Sequence, residues 1–191
     1  MSKNGFFAFV HRMKYITRWG LMRNTSYENL KEHSFDVAVL AHGIALIGNE
    51  FYGKNYNADR IAMCALFHDA NEAITGDMPT PVKYGNPEIM KAYKSLESEA
   101  KKRILSMLPD ELKGKYHDYM YIEDREEKKI VKAADKISAY IKCIEEERAG
   151  NDDFATAKKS LKKAIDSFEL QEVKHFMEHF VPVYGMNVDE C

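Results

Sequence analysis

Apolar residues recur at spacings of three and four along most of this 191-residue chain. No run of short alternating strands and no Gly-rich strand-to-helix turn interrupts that rhythm, so the pattern predicts an all-α protein. A helix is expected from Asn29, whose side chain can cap it, with Glu32 completing a capping box; it should run to about Gly48 and carry His33 in its first turn. A second should begin near Asn57 and hold Ile61, Cys64, Ala65 and His68 on one side until Gly76 and the Pro79, Pro81 pair stop it. A third follows Pro87 with the stripe Ile89, Tyr93, Leu96, Ala100, Ile104 and Met107. A fourth runs from about Arg125 to Arg148 on Ile130, Ala134, Ile137, Ile141 and Ile144, with Asp135 on the flank of that stripe. From Asp152 to Phe180 the chain reads as one or two further helices ending at Pro182. No segment reads as a linker or repeat, so residues 1–191 are expected to form a single domain.

Charge and cysteine usage narrow the classes of function. With 28 Lys plus Arg against 30 Asp plus Glu, the formal charge of -2 gives no broad attraction to a nucleic acid polymer or an anionic membrane. No apolar stretch approaches the roughly 18 residues that a membrane span needs. The amino-terminal run of Phe6, Phe7, Phe9 and Val10 is broken by Asn4, His11 and Arg12, and is not expected to be a secretion signal. Cys64, Cys143 and Cys191 are odd in number and far apart, as expected for reduced thiols in a cytoplasmic protein.

The chemistry concentrates in three short segments. His68 and Asp69 end an otherwise apolar run, Ala62 to Phe67, where an ionised carboxylate is costly unless a cation partners it. Imidazole with carboxylate suits first-row divalent ions, and a mononuclear site needs three or four such ligands. His33, on an earlier helix, and Asp135, beside a buried stripe, supply two more, so three helices could converge His33, His68, Asp69 and Asp135. Taken singly, each residue has an ordinary explanation as a core histidine or a lysine-paired acid.

The ordered pattern of His, then His-Asp, then Asp resembles that of the HD-domain metal-dependent phosphohydrolases. Longer segments are similar to the bacterial 5′-deoxyribonucleotidase family within that superfamily: Thr17-Arg18-Trp19-Gly20-Leu21-Met22-Arg23, Glu28-Asn29-Leu30-Lys31-Glu32-His33-Ser34, the stretch from His68-Asp69-Ala70-Asn71-Glu72 through Asp77-Met78-Pro79-Thr80-Pro81, and Ala133-Ala134-Asp135-Lys136. The likeness covers nearly the whole chain, including Ala149-Gly150-Asn151 and Phe176 to Pro182. It implies an HD-domain helical bundle, a homodimer, and hydrolysis of deoxyribonucleoside 5′-monophosphates to deoxynucleoside and phosphate. It further implies one divalent transition ion (Co, Mn, Cu, Zn or Ni) on residues matching His33, His68, Asp69 and Asp135, and substrate contacts that include Asp69 and Asp135.

The surrounding residues suit that chemistry on their own terms. Glu72, four residues after His68, would share its side of a continuing helix and is the candidate general base or acid. Asp77, just past Gly76, could swing back over the site in the same capacity; spacing alone leaves open which of the two is acid and which base. Arg18 has the planar fork suited to phosphate, and the adjacent Trp19 could stand as a wall against a 2′-hydroxyl, although it could equally be a core anchor. Met78, Pro79 and Thr80 form a stiff loop able to close over the sugar. A triphosphate or signalling nucleotide is the alternative substrate, but it would need more basic residues than Arg18, Arg23 and Lys83. A non-catalytic nucleotide-binding module would have no use for Glu72 and Asp77. His175 and His179, four apart, are expected to be packed at a helix end, and Lys158, Lys159, Lys162 and Lys163 form a solvated face.

Overall fold

The structure is a computed structural model describing residues 4–83, 85–187 and 189; Cys191 lies outside them. The described chain is 73% helical, and its one pairing outside helices is an isolated bridge between Thr17 and Asn29. Its elements are α1 (Phe6–His11), α2 (Leu30–Tyr52), α3 (Ala58–Leu66), α4 (Glu72–Thr75), α5 (Thr80–Lys83), α6 (Pro87–Leu105), α7 (Asp110–Met120), α8 (Arg125–Arg148), α9 (Ala155–Asp166) and α10 (Gln171–His179), with short 3-10 turns among them. No described helix is long and apolar enough to cross a membrane.

The long helices form where their end signals are. The Asn29 side chain accepts from the amides of Lys31 and Glu32, and Glu32 accepts from Asn29 N in return, which makes the expected capping box. At its other end α2 stops on Gly53, whose φ of 63° is a left-handed conformation that glycine adopts without steric cost. Asp124 caps α8 by accepting from the amides of Glu126 and Glu127, and α8 has the expected bounds.

Two apolar clusters hold these helices together. The larger joins Val37, Ala41 and Ile44 of α2 to Ile61 and Cys64 of α3, Ile130, Ala134 and Ile137 of α8, and Val173 and Phe176 of α10. The smaller gathers Phe6, Met13, Leu30, Phe67, Ile104, Leu108 and Met120. Leu30 belongs to one cluster and Val37 to the other, so His33 sits at the seam between them; Cys64, Ala65 and Phe67 bracket the same seam just before His68.

Helix α2 runs past its expected end near Gly48 to Tyr52, and the chain departs from the periodicity reading in three further places. The helix expected to continue from Asn57 to Gly76 ends at Leu66, and turns through Phe67–Asn71 separate it from α4. The Ala65 carbonyl, which a continuing helix would offer to the Asp69 amide, instead faces His68 N at 3.3 Å and His68 Nδ1 at 2.7 Å. The stripe on α6 is narrower than expected: Tyr93, Ala100 and Ile104 are buried, whereas Ile89 and Leu96 face outward. Helices α1 and α7 lack a legible pattern because each buries one residue of its own, Phe6 and Met120.

Candidate metal centre and active site

The capping box that starts α2 places His33, fully buried, one turn into the helix. The α3 break turns His68 and Asp69 inward, and α8 presents Asp135 from the flank of its buried stripe. One donor atom from each of His33, His68 and Asp135 lies within 4.8 Å of the others. Asp69 is placed through its neighbour, with Oδ2 3.0 Å from His68 Nε2, rather than as a member of that three-residue group.

The donor chemistry fits a divalent cation. His33 Nε2 and His68 Nε2 are buried and make no hydrogen bond, yet each faces a carboxylate oxygen, Asp135 Oδ1 at 3.2 Å and Asp69 Oδ2 at 3.0 Å. A nitrogen lone pair and a carboxylate repel unless a proton or a metal ion lies between them. The far side of each ring is already engaged. His68 Nδ1 lies 2.7 Å from the Ala65 carbonyl, an acceptor only, so Nδ1 carries the hydrogen and Nε2 is free to ligate. His33 Nδ1 lies 3.1 Å from Ser138 Oγ and 3.5 Å from Glu28 Oε1.

The carboxylates divide by environment. Burial alone would raise Asp69 and Asp135, but facing imidazoles outweigh it and hold both below the usual range, with Lys136 adding to the effect on Asp135. Burial and neighbouring acids work the other way on Glu72: desolvation first, then Asp69 and Asp77, outweigh the opposing Arg18 and Lys83 and push it up to about 10. Desolvation also raises Asp77, with Arg18 opposing and Asp69 adding to the rise.

Arg18 and Trp19 arrive from the loop preceding α2. Arg18 Nη1 is 4.0 Å from Asp77 Oδ2, so the two face each other across the site. Trp19 has a left-handed backbone, φ 60°, which is uncommon for a bulky residue and held by the Asn24 side chain donating to the Trp19 and Met22 carbonyls. Its ring packs 5.1 Å from Phe154, as an anchor would, while its N–H donates to Glu28. Met78, Pro79 and Thr80 continue from Gly76, which has a positive φ of 74°, into α5. Glu72 does not reach the site on a continuing helix as expected; it begins α4, where its amide bonds to the Asp69 carbonyl at 2.9 Å.

Two features escaped the sequence reading. Glu28 accepts from both Arg18 and Trp19, but an acid in a loop carries no periodicity that would reveal a buried role. Glu146, fully buried on α8, receives the amides of Thr25 and Ser26, the Thr25 hydroxyl, Lys142 and Asn151, and thereby straps the Arg18–Trp19 loop to the bundle. The only available signal was the Lys142, Glu146 spacing of four beside an apolar stripe. Outside the site, His175 pairs with Tyr52 and stacks among His179, Phe51 and Phe180, in keeping with a packed helix end.

Residues 5–184 match the family described as 5′-deoxynucleotidase YfbR-like. A 5′-deoxynucleotidase of Vibrio vulnificus is 46% identical over 192 residues, covering 100% of this chain and 99% of that one. An Escherichia coli protein named 5′-deoxynucleotidase YfbR is 45% identical over 194 residues, covering 100% and 96%. Among solved structures, an HD-domain phosphohydrolase from Listeria innocua superposes with a TM-score of 0.84 at 23% identity over 96% of this chain and 90% of that one. A cyanophage S-2L HD phosphohydrolase, DatZ, bound to dA and one catalytic Zn2+ ion, has a TM-score of 0.66 at 19% identity over 92% and 95%.

Proposed function

This chain belongs to the YfbR-like 5′-deoxynucleotidases, HD-fold enzymes that hydrolyse deoxyribonucleoside 5′-monophosphates, and we propose that it does so with one divalent transition ion held by His33, His68, Asp69 and Asp135. The observation carrying this assignment is the pair of buried, unbonded imidazole nitrogens facing carboxylate oxygens. Co, Mn, Cu, Zn and Ni all suit such a donor set, and the DatZ structure holds Zn2+. When bound, a dication there would polarise a phosphoryl oxygen and lower the pKa of water in its coordination sphere.

The protein's own groups do the rest. Arg18, its Nε engaged by Glu28, keeps its outer nitrogens for the 5′-phosphate. Glu72 carries a proton at neutral pH and donates it to the leaving 5′ oxygen as the P–O bond breaks. Asp77, opposite Arg18, accepts the proton that the attacking water loses. Trp19 and the Met78–Pro79–Thr80 loop enclose the deoxyribose, with Asp69 and Asp135 beside the phosphate.

Two wider features complete the proposal. A second copy would cover the exposed stripe of Phe35, Val39 and Leu46 on α2, which continues onto Tyr27 and Tyr184; sedimentation of the purified protein tests for the homodimer. The buried free thiols Cys64 and Cys143 accord with a cytoplasmic compartment. The activity test is phosphate release from dAMP, AMP, dATP and 3′-dAMP after chelation and re-addition of Mn, Co, Zn or Mg. The expected result is release from dAMP alone, restored by a transition ion. Release from dATP alone would point to a triphosphate substrate.

A further inference from the structure

One carboxylate touches three parts of the site without belonging to any of them. Glu28 Oε2 accepts from Arg18 Nε at 3.2 Å and from Trp19 Nε1 at 2.8 Å, while Oε1 lies 3.5 Å from Nδ1 of His33. The indole has a single polar group, its N–H, and Glu28 consumes it. Trp19 therefore offers a ribose 2′-hydroxyl no partner, and a hydroxyl pressed against it loses its water without replacement. The strained backbone of Trp19 adds a second constraint: a ring held from a left-handed residue stays in place only while its surroundings over-determine it.

We propose that Glu28 is a positioning residue that sets deoxyribose selectivity by tethering the Trp19 indole and the Arg18 guanidinium to each other and to the His33 edge of the metal centre. The proposal rests on the nucleotidase reading above, which uses Glu28 only as the partner of Arg18 Nε and gives no means of holding Trp19. It makes unlike predictions for two substitutions. Because one oxygen accepts both donors, Glu28→Gln retains that contact and keeps most of the selectivity. Glu28→Ala removes the acceptor, frees the indole N–H to meet a 2′-hydroxyl, and releases Arg18.

The experiment compares kcat and KM for dAMP and AMP in metal-loaded wild type, Glu28→Gln, Glu28→Ala and Trp19→Phe, together with the emission of Trp19, the only tryptophan in the chain. Expected for Glu28→Ala is a roughly tenfold fall in the dAMP-to-AMP ratio of kcat/KM, the size of one lost hydrogen bond to a charged group. A raised KM for dAMP and a shifted, more quenchable emission should accompany it. Glu28→Gln should stay within about threefold of wild type in that ratio. Trp19→Phe, which has no N–H for Glu28 to hold, should lose the ratio because its ring is no longer fixed in position. A folded, metal-loaded Glu28→Ala protein with wild-type ratio and emission overturns the proposal, as does a Trp19→Phe protein that keeps the ratio. If wild type releases no phosphate from dAMP, it is the nucleotidase reading that fails, and the emission of Glu28→Ala alone then decides whether the tether exists.

Discussion

Helix α8 carries two buried charged clusters about three turns apart, and they are built on opposite principles. Around Glu146 every charge is answered within the protein: Lys142 pairs with it and also donates to the Ser26 carbonyl at 2.6 Å, while Asn151 donates to Glu146 at 2.7 Å and to the Arg23 carbonyl at 2.6 Å. Around Asp135 two imidazole nitrogens and Glu72 Oε2 are buried without hydrogen bonds. A satisfied buried network fixes geometry, whereas an unsatisfied one stores a demand that a ligand meets. The first anchors the loop that carries Arg18 and Trp19; the second is where the proposed function places metal and phosphate.

The sharpest way to break this contrast is to remove the metal. Chelation should cut phosphate release by roughly 10³-fold or more, since the ion supplies several kcal/mol of transition-state stabilisation. Re-added ion at about 100 times its Kd should raise unfolding free energy by about 2.7 kcal/mol. A thermal melt indifferent to metal would place the ion elsewhere. Next, Glu72→Ala should lower kcat by roughly 10² to 10⁴ with metal content unchanged, since proton transfer is lost but no ligand is; steady-state kinetics on the metal-loaded variant measures this, and unchanged turnover would remove Glu72 from the chemistry. Glu146→Ala should act in the other currency. It leaves Lys142 buried without its partner and should cost about 3–5 kcal/mol in denaturant unfolding, with one ion still bound per folded molecule. Metal loss at constant stability would mean that the clusters are a single unit. Smallest is Arg18→Lys, where a point charge replaces the fork: roughly tenfold in kcat/KM, with wild-type kinetics ending the phosphate role.

pH separates the same two clusters by sign. Folding pushes the Glu72 carboxyl from an ordinary value of 4.5 up to about 10, so its contribution is fully present below about pH 4.5 and is lost as pH rises toward 10. Glu146 is shifted down from 4.5, because Lys142, Asn151 and Thr25 outweigh the burial that would raise it. Its contribution is present above about pH 4.5 and is lost as the medium becomes more acidic. Melts of the metal-free protein across pH should show Glu72→Gln flattening the fall on the alkaline side and Glu146→Gln flattening the loss on the acid side. Bound metal, by favouring the ionised form of Glu72, should also flatten the alkaline limb.

The site was more legible than its supports. His33 and Asp135 could be placed because a capping box and a clean apolar stripe fix the register of α2 and α8, and register sets which way a side chain points. Spacing puts Glu72 on a continuation of α3, whereas it begins α4, since the His68 ring competes with the backbone for the Ala65 carbonyl and α3 ends early. Glu28 and Thr25 were invisible because a loop residue acquires partners through contacts across the fold that no local spacing encodes.

What the sequence by itself determined was the helical class, the capped start of α2 and the bounds of α8, and it nominated imidazole and carboxylate groups as a donor set, all of which follow from periodicity, end signals and donor chemistry within a few turns of chain. Only the tertiary structure decided that Asp69 enters through His68, that burial and neighbouring acids raise the Glu72 carboxyl, and that one loop carboxylate joins Arg18, Trp19 and His33. Those are properties of distance and desolvation between segments far apart in the chain, and they exist only once the two apolar clusters have closed around the seam.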